Sequence, residues 1–261
     1  MKVALISLDQ LWEDKKGNQK QVEDALMLIE DKGVSWAIFP EMTLTGFTMN
    51  INQCSENILC SPSIDFFSKQ AVKHNIYLSF GMILKSETKA TNNLITISPT
   101  GEVLANYIKI HPFSYAGENK YYDKGTKLCK TMVSDALVGF SICYDLRFPE
   151  LFQALSKSCK VIVNIANWPK NRRLHWETLI RARAIENQVF FIGVNRIGID
   201  KNGLEYEKSS MVVDPKGDLV SEELVKENIS LFTIDSSFVD EYRSSFPVKE
   251  DRQVELYKQI L

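Results

Sequence analysis

The chain has 261 residues, of which 44% are hydrophobic and 25% are charged, and 31 Lys and Arg residues nearly balance 33 Asp and Glu residues. This composition is typical of a globular protein and excludes collagen-like, coiled-coil and disordered chains. A net charge of −2 provides no positive field for a nucleic acid or an anionic membrane, so we expect neither as a partner.

The first half of the chain alternates strand-like and helix-like segments. The apolar positions Val22, Leu26 and Ile29 mark one helical face. Further along, the turn residues Pro99-Thr100-Gly101 predict a hairpin. The predicted strands cover residues 2–8, 36–39, 76–84, 94–97 and 103–108, and a second helix covers residues 63–74.

The second half repeats this alternation and adds another hairpin around residues 214–218. Strands are predicted over residues 137–142, 161–165, 189–194 and 231–234, with helices over residues 149–157, 174–187 and from about Ser236. We therefore expect a single α/β domain, residues 1–261, with two similar sheets that each carry helices on one face.

The five cysteines are odd in number, include no Cys-x-x-Cys pair and share no spacing with the three histidines. A disulfide framework and a structural zinc site are therefore not expected. The segment 1–9 lacks a small-residue cleavage site, and no run of 18 apolar residues occurs. These features predict a cytoplasmic protein with reduced thiols.

Three polar residues stand where apolar strands end: Glu41, Lys109 and Cys143. The ends of strands open onto crevices, where sheet proteins place reactive groups. A cysteine at the start of a helical turn, beside an ammonium group, is expected to favour the thiolate. Attack on a carbonyl also needs a group that exchanges protons and a positive group at the oxyanion, for which Glu41 and Lys109 are suitable. Position alone is weak support, since every α/β protein has charged residues at strand ends.

The surrounding motifs resemble those of the nitrilase superfamily of carbon–nitrogen hydrolases, and the order Glu, Lys, Cys matches. Later segments are similar to the omega-amidase branch. The motifs of the first group are Pro40-Glu41-Met42, Thr45-Gly46-Phe47, Gly117-Glu118 and Cys143-Tyr144-Asp145-Leu146-Arg147-Phe148-Pro149-Glu150; those of the second are Ala166-Asn167-Trp168-Pro169, His175-Trp176, the run Arg181 to Gln188, and Asn195-Arg196.

The resemblance implies a four-layer αββα sandwich in which Cys143 is the nucleophile, Glu41 the general base and Lys109 the group that stabilises the tetrahedral intermediate. It also implies that Glu118 orients the lysine and that the backbone N–H of Tyr144 contributes to the oxyanion site. Neither a metal nor an organic cofactor is implied. Family resemblance further implies a homodimer that packs helices across a two-fold axis.

For the substrate we expect a small 2-oxo acid amide, 2-oxoglutaramate or 2-oxosuccinamate. Its carboxylate would need a cation, for which three arginines are candidates, and three aromatic residues are candidates to line the pocket. The aromatic residues are equally well explained by a place in the core, and Arg147 by a scaffold ion pair with Asp145 or Glu150, whereas Arg172 and Arg173 lie in a loop whose side chains are free to reach a ligand. The candidates are Arg147, Arg172 and Arg173, and Phe113, Tyr115 and Trp168.

One segment departs from the amidase pattern: Lys208-Ser209-Ser210 stands where a glycine is usual, and we expect it to alter a turn and one pocket wall. Two alternatives therefore stay open. One is another hydrolase of this superfamily, such as an aliphatic amidase, an N-carbamoyl hydrolase or an amidase for a deaminated metabolite. The other is a non-catalytic scaffold that has kept the fold.

Overall fold

The structure, a computed structural model, describes residues 1–260. Its strands, in chain order, are β1 (Lys2–Ile6), β2 (Trp36–Ile38), β3 (Tyr77–Lys85), β4 (Ala90–Ile97), β5 (Val103–Ile108), β6 (Lys130–Val133), β7 (Ala136–Ile142), β8 (Val161–Ala166), β9 (Phe190–Asn195), β10 (Gly198–Ile199), β11 (Glu205–Tyr206), β12 (Met211–Val213), β13 (Glu223–Lys226) and β14 (Ile229–Thr233).

The helices alternate with these strands. They are α1 (Lys15–Leu28), α2 (Ile51–Cys54), α3 (Pro62–His74), α4 (Glu118–Tyr121), α5 (Pro149–Leu155), α6 (Arg173–Asn187), α7 (Ser237–Ser245) and α8 (Val254–Ile260). Helix α3 shows how local sequence sets its limits. The Ser61 hydroxyl accepts a hydrogen bond from the N–H of Ile64 at its start, Pro62 occupies the first turn, and Asn75 ends it in the left-handed conformation.

The strands form two main sheets. The larger has the order β13-β14-β1-β2-β3-β4-β5, and the smaller has the order β12-β9-β8-β7-β6. In each sheet the three central strands run parallel, β1, β2 and β3 in one and β7, β8 and β9 in the other. The ends of the parallel strands therefore lie along one edge of each sheet, which is where an α/β fold places a site.

The two sheets pack face to face around a core that includes Leu5 and Ile38 from one sheet and Phe140 and Val163 from the other. Helices α1 and α3 cover the outer face of the larger sheet, where the ring of Phe67 stacks on Phe80 with a centroid distance of 3.6 Å.

Helices α5 and α6 cover the outer face of the smaller sheet and pack against β9. The order of layers is therefore α, β, β, α, as the resemblance implied. None of the helices in residues 1–260 has the length and apolar content to cross a bilayer.

The sequence analysis missed β6, β13 and α8 and the short elements α2, α4, β10 and β11, and β4 is longer than predicted. Strand β4 begins at Ala90 and is buried throughout, including its adjacent polar residues Asn92 and Asn93. Those two residues interrupt the apolar pattern because their side chains make buried hydrogen bonds rather than face solvent.

Candidate active site

The strand-end residues lie around one cleft of about 570 Å³. Lys109 follows β5 directly, Cys143 follows β7 directly, and both line the cleft. Glu41 comes after β2 and lies fully buried behind Lys109. The facing arrangement of the two sheets brings together these three residues, which are far apart in the chain.

Lys109 lies between two carboxylates. Its Nζ is 2.9 Å from Oε1 of Glu41 and 2.9 Å from Oε2 of Glu118, and all three side chains are buried. Burial alone would lower the pKa of Lys109, but the negative charges of Glu118 and Glu41 outweigh it and hold that pKa well above its usual value. The ammonium therefore keeps its charge in the interior.

Two asparagines that the sequence analysis did not single out complete the surroundings of Glu41. Nδ2 of Asn92 donates to Oε1 of Glu41 at 2.7 Å and to Oε1 of Glu118 at 2.9 Å. The backbone N–H of Asn167 donates to Oε2 of Glu41 at 2.9 Å. Asn167 follows strand β8, so the strand-end rule could have found it. Asn92 lies before the predicted strand 94–97, so the strand-end rule could not have found it.

The turn that carries Glu41 needs a glycine beneath it. A Cβ on Gly81 of β3 would lie 2.2 Å from the backbone nitrogen of Met42 and 2.6 Å from Cα of Glu41. Contacts that short do not occur, so only glycine allows this close approach. Met42 itself has a φ of 48°, a conformation that L-residues rarely adopt.

Cys143 also has a positive φ, 45°, and begins a short 3-10 turn that ends at Arg147. Its Sγ contacts the carbonyl oxygen of Asn167 at 3.9 Å. Burial, and then the charge of Glu41, raise the pKa of the Cys143 thiol well above its usual value, and Lys109 opposes them only in part. Desolvation of the thiol therefore outweighs the nearby ammonium, which is opposite to the shift that the sequence led us to expect.

Asp145 holds the cysteine turn against strand β5. Its Oδ2 accepts hydrogen bonds from the N–H of Ile142 at 2.9 Å and from the hydroxyl of Tyr107 at 2.7 Å. Its Oδ1 accepts from the backbone N–H of His111 at 3.0 Å and lies 2.8 Å from His111 Nδ1. The ring of His111 also stacks on Phe148, so this histidine supports the turn.

A second residue anchors the same turn from helix α6. Nε and Nη2 of Arg183 donate to the carbonyl oxygen of Leu146 at 3.1 and 3.0 Å. Nη1 of Arg183 forms an ion pair with Glu186 at 3.0 Å, three residues further along the same helix.

Four of the six predicted substrate-contacting residues line the cleft, and Tyr144 lines it as well. The guanidinium of Arg147 lies 4.9 Å from the centre of the Trp168 ring, and its Nη2 is 3.2 Å from Nδ1 of His175. The guanidinium of Arg172 lies 5.6 Å from the centre of the Phe113 ring. Both arginines therefore present a charge held on an aromatic face at the wall of the cleft.

The other two lie outside the cleft, which corrects the expectation for them. Tyr115 lies in the 3-10 turn Ser114–Ala116 with 87% of its surface exposed, and its ring, 5.8 Å from that of Phe113, lies on the solvent side of the cleft wall. Arg173 begins helix α6 on the outer surface, where it pairs with Glu177 and Glu207.

The segment 208–210 does not line the cleft either. Lys208 pairs with Glu222 at 2.6 Å on the surface. The segment reaches the site through Asn195, whose Nδ2 donates to the Ser209 hydroxyl at 3.1 Å and whose Oδ1 accepts from the N–H of Trp168 at 2.7 Å. It also contacts Trp176, whose Nε1 donates to the Ser209 carbonyl oxygen at 2.8 Å and whose ring lies 5.5 Å from that of Trp168. The Lys208 side chain therefore lies outside the cleft, and the segment acts on the pocket wall through the residues that support Trp168.

Within residues 1–260, no cluster of three or more His, Cys, Asp or Glu side chains is placed to hold a metal ion.

Known proteins match the chain along most of its length. A family model described as carbon-nitrogen hydrolase matches residues 2–244. An omega-amidase of Yersinia enterocolitica is 31% identical over 258 residues, 96% of each chain. A 2-oxoglutaramate amidase of Paenarthrobacter nicotinovorans is 34% identical over 253 residues, 90% of this chain and 86% of that protein. A CN-hydrolase superfamily protein of Xanthomonas campestris, solved with an arsenic adduct in its active site, has a TM-score of 0.89, 28% identity and 97% coverage of both chains.

Proposed function

The chain belongs to the carbon–nitrogen hydrolase family, and on that premise we propose that it hydrolyses the terminal amide of 2-oxoglutaramate, or of its shorter analogue 2-oxosuccinamate, to the acid and ammonia. The substrates named for its relatives support this choice. The observation that carries it is the contact of a buried Lys109 ammonium with Glu41 beside the Cys143 thiol, at a cleft whose wall holds two arginines.

In the first step, Sγ of Cys143 attacks the amide carbon while its proton passes to the Glu41 carboxylate. The resting thiol is neutral and Glu41 accepts three hydrogen bonds that stabilise its anion, so the proton moves only as the carbon–sulfur bond forms. The negative charge that develops on the carbonyl oxygen is stabilised by Lys109 and by the backbone N–H of Tyr144. Glu118 holds Lys109 in place.

In the second step, Glu41 gives its proton to the amide nitrogen, the carbon–nitrogen bond breaks, and ammonia leaves a thioester on Cys143. Water then attacks the thioester as Glu41 takes a proton from it. Collapse of this second tetrahedral intermediate releases the acid and returns the proton to sulfur. The net reaction adds one water to one amide, and every proton passes through Glu41.

The charges at the cleft favour an anionic amide. Two acidic residues of the wall are bound by their own neighbours: Glu13 by Thr48 and Asn50, and Asp200 by the Tyr206 hydroxyl. We propose that Arg147 and Arg172 bind the substrate carboxylate, because a guanidinium matches a carboxylate in shape and charge. The aromatic faces of Phe113 and Trp168 hold these cations in position.

Steady-state release of ammonia tests this function. We expect 2-oxoglutaramate to give a higher kcat/KM than simple aliphatic amides, nitriles and N-carbamoyl amino acids. Faster turnover of a neutral amide or a carbamoyl compound would contradict the substrate and favour another hydrolase of the family. No turnover of any of them, with uniform slow alkylation of all five thiols, would favour a non-catalytic scaffold.

We also propose that the protein acts as a homodimer in the cytoplasm. The helix face that would meet the partner includes Leu174 and Ile185 of α6, which are 74% and 51% exposed. All five cysteines are free thiols, which suits a reducing compartment. Analytical ultracentrifugation tests the association: a sedimenting species of about 30 kDa at micromolar concentration would contradict the dimer, given a chain mass of 29.8 kDa.

A further inference from the structure

Asn92 touches each of the three charged residues at the buried end of the cleft. Its backbone carbonyl accepts a hydrogen bond from the N–H of Lys109 at 2.9 Å. Its side-chain Nδ2 donates one hydrogen bond to Glu41 and one to Glu118, at 2.7 and 2.9 Å. The residue is 1% exposed. It therefore fastens the middle of strand β4 to all members of the charged group.

The charge balance of this group explains why a neutral donor is needed. Two buried carboxyl groups face one buried ammonium, so a single cation has to serve both glutamates. Two carboxylates that share a site each disfavour ionisation of the other. Lys109 binds Oε1 of both glutamates, at 2.9 and 3.2 Å, and Asn92 donates to the same two oxygens from another direction.

The amide of Asn92 can serve only in this orientation. Its Oδ1 is buried and has no hydrogen-bond partner in residues 1–260. Turning the amide over would point that oxygen at two carboxylates and leave the NH₂ group without acceptors. Leaving Oδ1 unsatisfied has a cost in stability, and both glutamates benefit from the arrangement that causes it.

We propose that Asn92 is a positioning residue that keeps Glu41 and Glu118 ionised and in fixed places on Lys109, so that Glu41 is ready to receive the Cys143 proton. This inference rests on the proposed function, because it gives Glu41 the role of proton acceptor. An asparagine suits the position because its amide group donates two hydrogen bonds and does not ionise.

The test is the pH dependence of Cys143 reactivity, because it needs no knowledge of the substrate. On the proposed mechanism, alkylation of the neutral thiol needs Glu41 to accept the thiol proton. Protonation of that carboxylate therefore slows labelling as the pH falls. The other titratable groups that face this carboxylate are Lys109, Glu118, Tyr122 and the Cys143 thiol itself, and burial raises the pKa of Tyr122 above the pH range of the test. We measure iodoacetamide labelling of Cys143 by peptide mass spectrometry between pH 5 and 9, with exposed Cys60 as internal reference.

In the variant Asn92→Leu, each glutamate loses one hydrogen bond that stabilises its charged form. We therefore expect the acid limb of the labelling profile to move to higher pH by about one unit, and the acid limb of kcat/KM to move with it. At a fixed pH on this limb, we expect labelling and kcat/KM to fall together by about tenfold, and the loss should shrink as the pH rises above the limb. The variant Asn92→Asp keeps the size of the side chain and replaces the leucine variant in this test if that variant does not fold. It should move the limb in the same direction, because a third carboxyl group joins the two glutamates.

Asn93→Leu is the matched control. Asn93 is the next residue of β4, is equally buried and donates to Asn106 at 2.6 Å, away from the glutamates. We expect this variant to lose stability without a change in either profile. An unchanged Cys143 labelling profile in a folded Asn92 variant would overturn the proposal. If the wild type labels as expected but hydrolyses no 2-oxo acid amide, the proposed substrate fails and the role of Asn92 remains supported.

Discussion

The carboxylate of Asp145 accepts a hydrogen bond of 2.7 Å from the hydroxyl of Tyr107. Asp145 lies two residues after Cys143, and Tyr107 lies two residues before Lys109. The bond therefore fixes the turn that carries the thiol to the strand that carries the ammonium. Because the two elements belong to different sheets, the geometry of the site depends on how the sheets pack.

Tyr107→Phe should uncouple these two elements. It removes the hydroxyl that donates to buried Asp145 and that also accepts from the N–H of half-buried Ile110 at 3.3 Å, so each of these partners loses a bond. We expect the free energy of unfolding to fall by about 1–3 kcal/mol, measured by urea denaturation, and kcat/KM to fall as well. Tyr115→Phe, at an exposed position, is the control and should change stability by less than about 0.5 kcal/mol. Equal effects of the two substitutions would refute the coupling.

Cys143→Ala should abolish amide hydrolysis and leave the fold intact. Alanine keeps the Cβ that this backbone conformation already accommodates, so the turn is not strained further. Circular dichroism and thermal unfolding should match the wild type, while ammonia release falls to background. A variant that unfolds would mark the thiol as structural instead.

Glu41→Gln and Lys109→Ala should both lower kcat by several orders of magnitude, as removal of a catalytic-triad member does. Their stabilities should differ. The glutamine keeps the shape of the side chain and removes one of two buried negative charges. The alanine leaves the Glu41 and Glu118 carboxylates without a counter-ion, which costs about 3–5 kcal/mol. Urea denaturation distinguishes them, and a Lys109→Ala variant as stable as Glu41→Gln would contradict this account of the buried charges.

Arg147→Ala and Arg172→Ala test carboxylate binding. Loss of a guanidinium that pairs with the substrate should raise KM for 2-oxoglutaramate by about tenfold or more, since a hydrogen bond to a charged group contributes about 1.5–3 kcal/mol. KM for a neutral aliphatic amide should change little. Arg173→Ala is the matched control, because Arg173 pairs with Glu177 and Glu207 outside the cleft. An equal rise in KM for charged and neutral amides would show that these arginines support the wall only.

His74 makes stability depend on pH. Burial, and then the charge of Lys73, lower the pKa of His74, while Glu30 opposes them in part. In the unfolded chain the histidine keeps its usual pKa of about 6.5 and takes up a proton first as the pH falls. The folded state is therefore destabilised progressively below about pH 6.5, until the pH passes the lower pKa of the folded protein.

The variant His74→Leu should remove this component of the pH dependence. Neither ring nitrogen of His74 has a hydrogen-bond partner in the described structure, so the apolar side chain leaves no partner unsatisfied. Urea denaturation at pH 7 and at pH 5 provides the measurement. A loss of stability between these pH values that is as large in His74→Leu as in the wild type would assign the effect to other groups.

The amino-acid sequence was sufficient to predict the alternation of strands and helices, the two-sheet architecture and the strand-end positions of Glu41, Lys109 and Cys143. These features follow from local periodicity and from the residues that end each strand, which act over a few positions in the chain. The motifs around the same residues indicated the family. None of this required knowledge of which strands lie side by side.

The tertiary structure decided what depends on contacts between distant segments. Asn92 meets Glu41 across 51 positions of the chain, through the packing of strand β4 beside the Glu41 turn. The pKa of the Cys143 thiol is raised because burial, a property of the assembled layers, outweighs the charge of Lys109. Phe113 faces the cleft and Tyr115 faces solvent because one short turn redirects the chain between them. Solvent exclusion and the directions of side chains arise only when the layers close, so local sequence patterns could not provide them.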